Sequence, residues 1–534
     1  MRILIHQEYL KHIKKYVDSC LEDSEFLKNV QHDKETFTTM VNLNLDAALP
    51  ILTPLYCPII RAHYRDPLSM LRSLILMTIK KEPSITEWVK KTRSQSYLAI
   101  LAGFDPDDTP GIGTYYDFMH RIINGPYQKP CPHITRRSDF NKHLHLRNLK
   151  EKQDDPLNPY HSQSEKLAHK LLENAECPRS QGFLKILEDI FIQTGLIPSI
   201  KEKVLTIDDF IASGDGSIAA TNASSDGKPS CSCCSEGHKH CDHPRFYSSP
   251  TAQWCFDHHH NCFVFGDRYY ILAVTENGHD FPLHVTLPGG NESDFTLSLN
   301  TLDRFIKAAH ENGLNMHIHY FCGDGHHDSY AHYHYLHEKN IIPAIPLTHQ
   351  GEKTHPHFDT IDVPLDTDGT PLCPGGLRMR HHAFNKKRHV HVYACPVKRL
   401  AHCNGNSFYL VHSDECPKPE TCCPESSLAP LIYIKTNTDP RYYPPLARNT
   451  DKFKTISNQR SATERLNSVI DSYNIDHRHR NADYVLIRLT LINIAIHAHI
   501  RHAEAVKKSS LDELFDKALE KVGVTLPEKK DKAA

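Results

Sequence analysis

The chain is expected to be an α/β protein in which a mixed sheet with helices is preceded by an all-helical N-terminal region and interrupted by a β-rich insertion. Three observations predict this. Between residues 201 and 349, short apolar strand-like runs alternate with amphipathic helical ones, a rhythm that favours parallel strands joined by helical crossovers. Residues 350–450 break it with many Pro, Gly and Cys and only short strand-like pieces. Residues 1–125 carry helix-start signals.

Within residues 1–125, Asp66-Pro67-Leu68 opens an amphipathic run over 71–80, and Ser84-Ile85-Thr86-Glu87 reads as a capping box ahead of Trp88 and Val89. Residues 126–200 read as linker and helices, poor in apolar periodicity until Leu167 to Leu172. A strand from Val204 is expected to end at Gly214-Asp215-Gly216-Ser217, followed by a Cys/His-rich insert over 228–262. Residues 262–274 and 281–287 read as paired strands and 299–312 as an amphipathic helix. A strand over 317–322 closes on Gly323-Asp324-Gly325, and a helix over 329–339 leads to a strand over 341–347. This strand, helix, strand unit puts Asp324 at a carboxyl end, where α/β sheets place ligands. In the insertion, residues 390–394, 408–411 and 431–434 read as strands. Residues 451–506 hold two helices, over 457–473 and 483–503, and 507–534 read as a frayed charged tail.

A length of 534 residues allows about two to four domains. With 62 Lys plus Arg against 64 Asp plus Glu, the chain gives no global argument for binding a polyanion, so any such surface must be local. The densest basic stretch spans 378–391 and includes Arg380, Lys386, Lys387 and Arg388. The 40 His should raise the charge sharply as pH falls through about 6.5. No signal-like leader and no unbroken apolar run of about 18 residues is legible, so a cytoplasmic location without a membrane is expected.

In that setting 17 Cys read as thiols or metal ligands rather than a disulfide framework. One cluster holds Cys231, Cys233, Cys234, His238, His240, Cys241 and His243. Cys231, Cys234, His240 and Cys241 are its candidate ligands for a structural zinc, against an exposed His-rich loop. A second, in the insertion, offers Cys395, Cys416, Cys422 and Cys423, with Cys373 and Cys403 nearby, as a Cys₄ zinc site or as buried thiols.

Three acids, Asp215, Asp324 and Glu464, stand at the ends of core-type segments. Magnesium takes hard oxygen ligands, so carboxylates converging from distant positions suit a metal-dependent phosphoryl-transfer site. Gly-Asp-Gly also suits a turn or a cap. Asp328 reads as a helix cap or supporting acid, and only charge marks Asp257 and Asp294.

The segments DPLSMLRSLILM at 66–77, DTPGIGTYYDFMHRI at 108–122, GDGS at 214–217, CGDGHHDSYAHYHYL at 322–336 and NQRSATERLNSVIDSYNI at 458–475, taken in order and spacing, resemble the DDE transposases of bacterial insertion sequences. The resemblance covers most of the chain. It implies a ribonuclease H-like catalytic fold with a β-rich insertion before the final Glu, and places the catalytic acids on Asp215, Asp324 and Glu464. It further implies in-line displacement at phosphorus with two ions, Mg²⁺ or Mn²⁺, held by those carboxylates. Double-stranded DNA, as element ends and target, is the implied partner, with a homodimer on DNA in a bacterial nucleoid-associated setting. The N-terminal helices would read the ends. The family pattern also has a Tyr three residues before Arg460 and a Lys seven after the Glu, where this chain has Ser457 and Asp471. Arg460 and Arg465 remain candidates for gripping phosphate. Two other classes stay open: a catalytically inactive, zinc-stabilised DNA-binding protein derived from such an enzyme, and a zinc hydrolase using the 231–262 cluster.

Overall fold

In the computed structural model of the chain, the residues described are 3–18, 25–56, 64–125, 163–174, 182–229, 231–233, 235–237, 245–257, 261–289, 292–348, 355–397, 399–403, 406–410, 416–418, 431–475 and 480–524. Much of the expected linker, residues 126–162 and 175–181, lies outside them.

Among the described residues up to Asn124, all regular structure is helical. Asp66 caps α1 (Pro67–Ile79) by accepting the Ser69 N–H at 2.9 Å, with Pro67 in the first turn, where its missing N–H costs nothing. Ser84 caps Ile85–Ser94 through the Glu87 N–H. The expectation of an amphipathic helix at 71–80 is corrected: every residue of α1 is buried, because the helix lies between Ser96–Ala102 and Ala482–Lys508.

The sheet is built on β1 (Phe210–Ala220), with β2 (Gln253–Asp257), β3 (Cys262–Glu276), β4 (His279–Gly289), β5 (Ile318–Cys322) and β6 (Ile342–Ala344). β3 pairs antiparallel with β1 and carries β2 and β4 on its other edge, while β5 and β6 continue parallel to β1. Asn277 and Gly278, with φ of 52° and 78°, supply the two positive φ values that a tight hairpin between β3 and β4 requires. β1 does not end at Asp215 as expected. It runs on to Ala220 because every residue from Ser213 to Ala220 finds a partner on β3. The glycines serve close approach instead of a turn: a Cβ on Gly214 would meet the Tyr270 hydroxyl at 2.2 Å, and one on Gly216 would meet Asp294 Oδ1 at 2.3 Å.

Helices α2 (Asp294–Glu311), α3 (Tyr330–Glu338), α4 (Ser461–Asp471) and α5 (Ala482–Lys508) complete the layers. One continuous apolar core joins the N-terminal helices, the sheet and α5. α5 is the single described helix long and apolar enough to cross a membrane, and 83% of its most apolar stretch is buried by the rest of the chain. The frayed tail expected after 507 is also corrected. Leu511–Lys521 is a helix that buries Phe515, Ala518 and Leu519 against Lys34–Asn42, with Ser510 as its cap, and only 525–534 lie outside the described residues.

His497 of α5 is fully buried, its Nε2 donating to the Pro282 carbonyl at 2.8 Å and its Nδ1 accepting from Ser199 Oγ at 2.8 Å. Burial drives this imidazole down to about 3, despite the Pro282 bond, which favours the charged form. The unfolded chain therefore takes up a proton near 6.5 that the folded one refuses. The stability from this residue is fully present above about pH 6.5 and falls away below it, by about 2 kcal/mol on reaching pH 5. Urea midpoints of wild type and His497→Gln at pH 7 and 5 test this: the variant should show the shallower pH dependence, and parallel slopes refute it.

The insertion holds a three-stranded antiparallel sheet of Arg380–Asn385, Val390–Ala394 and Leu431–Lys435 and a hairpin of Arg399–Cys403 with Asn406–Leu410. Its own small core includes Ile361, Leu365, Met379, Tyr393, Ile434 and Tyr443. Asp328 anchors it to the sheet: both carboxylate oxygens accept from Arg441, at 2.9–3.1 Å, one also from the Thr348 N–H and the other from the Tyr333 hydroxyl. The helix-cap reading of Asp328 is thus replaced. The cap residue of α3 is Ser329, and the Asp328 side chain enters a buried ion pair instead.

Candidate active site

Register fixes which face Asp215 uses. Ser217 pairs with Tyr269, whose hydroxyl bonds Asn467 of α4 at 3.2 Å. With a side-chain period of two, Asp215 shares that face, the one covered by the helix bearing Glu464. Gly214 and Gly216 present the opposite face to Tyr270 and to Asp294 in the first turn of α2. Asp324 follows β5, which runs beside β1, and caps a short turn over Gly325–His327.

These placements bring Asp215 and Asp324 into electrostatic contact, with Asp294 as a third acid. Burial first, then repulsion by Asp324 and Asp294, raises the Asp215 carboxyl to about 6. Asp324 behaves oppositely. Burial pushes it up, but hydrogen bonds from His327 and His326 outweigh that and hold it below the ordinary carboxylate range. Its Oδ1 accepts from the His326 N–H at 2.9 Å and from His327 Nδ1 at 2.7 Å, which uses both lone pairs. Its Oδ2 faces His326 Nδ1 at 2.8 Å, on a side chain 72% exposed that can swing away. In the neutral ring, a proton on His327 Nδ1 leaves Nε2 to accept from the buried Tyr270 hydroxyl at 2.7 Å. Tyr270 is raised well above its usual value by burial and by Asp215, Asp294 and Asp324, so it stays protonated.

Carboxylate oxygens are the donor type a hard divalent cation takes, although Asp215, Asp324 and Asp294 do not bring ligand atoms within 4.8 Å of one another. Asp294 Oδ1 is buried without a hydrogen-bond partner, its nearest cation, Arg268 Nη1, standing 3.6 Å away. Asp215 and Asp324 would hold such an ion, and positive charge there relieves the repulsion.

Glu464 sits apart. It is exposed and pairs with Arg460 at 2.8 Å one turn earlier. The three expected carboxylates do not converge within 4.8 Å of one another. Arg465, read as a phosphate contact, is occupied: Nε and Nη2 clasp Asp280 at 2.5 and 2.7 Å and tie α4 to the hairpin. Arg380, Lys386, Lys387 and Arg388 are all exposed on one hairpin of the insertion.

Of the first zinc set, Cys231 is half-buried, whereas Cys234, His240 and Cys241 lie outside the described residues. Of the second, Cys395 and Cys416 are buried together with Val397, while Cys422 and Cys423 lie outside.

The sequence marks Asp294 by charge alone and gives no sign of His326, His327 and Tyr270. The helix of Asp294 begins five residues before the expected 299, and Ser293-Asp294 ahead of Leu297 was the cap signal that could have found it. His327 and Tyr270 carried no local signal, since only strand register brings them together.

No protein-family model matches the chain, and neither a curated protein nor a solved structure does. The fold and site define a mixed α/β protein with a carboxylate cluster formed by a central strand, the end of its parallel neighbour and the start of an adjacent helix.

Proposed function

We propose that the chain is a DDE transposase of a bacterial insertion sequence, with a ribonuclease H-like catalytic region, that cuts DNA at terminal inverted repeats and joins the ends to target DNA. The observation that carries this reading is the meeting of Asp215 and Asp324 from adjacent parallel strands, with Asp215 raised to about 6 by burial and by repulsion from Asp324 and Asp294. A β-rich insertion preceding the helix of Glu464 supports it further.

Magnesium or manganese bound at this site would supply Lewis acidity to the phosphoryl group and activate the attacking hydroxyl. The chain's own residues do the rest. His327, held by Tyr270, fixes the Asp324 carboxylate. Burial of Asp215 limits water around the reacting groups. Arg460 and Glu464 neutralise each other when DNA is absent; a phosphate drawn to Arg460 would release Glu464 toward the face it shares with Asp215. The exposed Arg380, Lys386, Lys387 and Arg388 offer the phosphate-backbone contacts that the overall charge does not, and binding through them weakens steeply with salt. The active form in this reading is a homodimer on duplex DNA.

The distance of Glu464 from the cluster and the engagement of Arg465 favour a second reading, a DNA-binding relic without catalysis. Cleavage of a labelled duplex bearing the flanking inverted repeats, in magnesium, manganese or EDTA, separates the two. Metal-dependent cutting by wild type that is lost in Glu464→Gln supports the transposase. Binding without cutting in either metal supports the relic.

A further inference from the structure

Away from the carboxylate cluster, Asp209, His317 and His319 bring one ligand atom each to within 4.8 Å of one another, the only such set of three among the described residues. Asp209 Oδ1 faces His317 Nδ1 at 2.9 Å and His319 Nδ1 at 2.7 Å. We propose that these three side chains form a binding site for a borderline divalent transition-metal ion, zinc(II) or cobalt(II), that cross-links the entrances of β1 and β5.

The donor chemistry selects the class of ion. Two imidazole nitrogens and one carboxylate oxygen suit zinc, cobalt or nickel, whereas magnesium and calcium prefer all-oxygen sets. Three protein ligands also leave a fourth tetrahedral position for water. Metal bonds of about 2.0–2.1 Å place tetrahedral ligands roughly 3.3 Å apart, so an ion entering here need spread each imidazole from the Asp209 carboxylate by only about half an ångström. The ligand side chains are 62%, 54% and 28% exposed for Asp209, His317 and His319, which permits that movement and leaves an entry path from solvent.

The backbone gives a second, independent observation. Phe210 pairs with Ile318 and Ile211 with Tyr320, so the pairing skips His319. Ile318 and Phe321 accordingly join the main core while Tyr320 and Cys322 face a separate cluster. A bulge of this kind re-aims one side chain at the expense of a regular ladder, and the residue released is a ligand. Two backbone bonds of His317, its carbonyl accepting from the Phe210 N–H at 3.1 Å and its N–H donating to the Ile207 carbonyl at 3.0 Å, fix the Asp and His segments side by side.

The site is not a part of the acidic cluster. Asp209 precedes Asp215 by six residues of nearly extended chain, about 20 Å, and His317 immediately precedes β5, which Asp324 follows. An ion here would staple the two strands that carry the acids, at their opposite ends, and the proposal stands whether or not the chain cuts DNA.

The test is cobalt(II) titration of the full chain, reduced and stripped of metal, beside His317→Ala/His319→Ala and the milder Asp209→Asn. Visible d–d absorption and bound metal by mass spectrometry are read together. Thiolate sites elsewhere add intense near-ultraviolet charge-transfer bands, which an Asp/His/His site lacks. The expected result is a loss of about one bound equivalent in both variants, with thiolate bands unchanged and no displacement by excess magnesium. Equal metal content in wild type and in variants that retain their circular dichroism would overturn the proposal and leave only imidazole hydrogen bonds to a carboxylate.

Discussion

Asp215→Asn is expected to lose metal-dependent strand cleavage by about three orders of magnitude or more while making the metal-free protein more stable. The loss follows from the worth of metal charge stabilisation, several kcal/mol, at about 1.36 kcal/mol per factor of ten in rate. The gain follows from the burial of Asp215 and from the acids around it. In the folded chain burial, Asp324 and Asp294 raise Asp215 to about 6 from its ordinary 3.8. A carboxyl raised on folding holds its proton in the folded state where the unfolded chain has released it, so stability declines as pH climbs from about 4 to 6 and stays low above. At two pH units the deficit at neutral pH is at most about 3 kcal/mol, and the amide removes it. Urea midpoints in EDTA at pH 7.5 should therefore rise in the variant, by less at pH 5, and added magnesium should stabilise wild type alone. A variant no more stable than wild type in EDTA would mean that burial and the neighbouring acids do not raise Asp215 in the folded chain.

Glu464 poses the sharper question for the catalytic reading, and it illustrates what a sequence can carry. Local chemistry was legible: Asp66 and Ser84 announce their helices, and the apolar runs around 262–287 and 317–322 announce strands that do form. Asp324 was placed correctly at the carboxyl end of its strand because that depends only on a strand, a helix and a strand in succession. Asp215 was placed on the right strand but at its end, since Gly-Asp-Gly has the composition of a turn. The glycines are there because Tyr270 and Asp294 press on the strand, contacts set by register and by a helix packed across the sheet. The same limit hid the Asp324–His327–Tyr270 chain and gave Arg465 to DNA when Asp280, nearly two hundred positions away, holds it.

Removal of the Asp328 carboxylate is expected to be among the most destabilising single changes outside the apolar core, at about 3–5 kcal/mol, because it takes from the largely buried Arg441 guanidinium the carboxylate that its Nε and Nη2 both bond. Asp328 is fully buried and Arg441 is 13% exposed. The aspartate also satisfies the Thr348 N–H and hydroxyl and the Tyr333 hydroxyl, so Asp328→Ala orphans several groups at once. The cost should concentrate at the junction between the sheet and the insertion, since Arg441 follows the Leu431–Lys435 strand of the insertion and Asp328 precedes α3. Limited proteolysis should release the region between about residues 350 and 430 sooner in the variant than in wild type, with the helices before residue 125 no more sensitive. Asp328→Ala combined with Arg441→Met should recover much of the loss, because deleting both charges avoids a buried guanidinium deprived of its carboxylate. Additive destabilisation in the double variant would show instead that Asp328 acts through Thr348 and Tyr333, and that the ion pair does not hold the insertion in place.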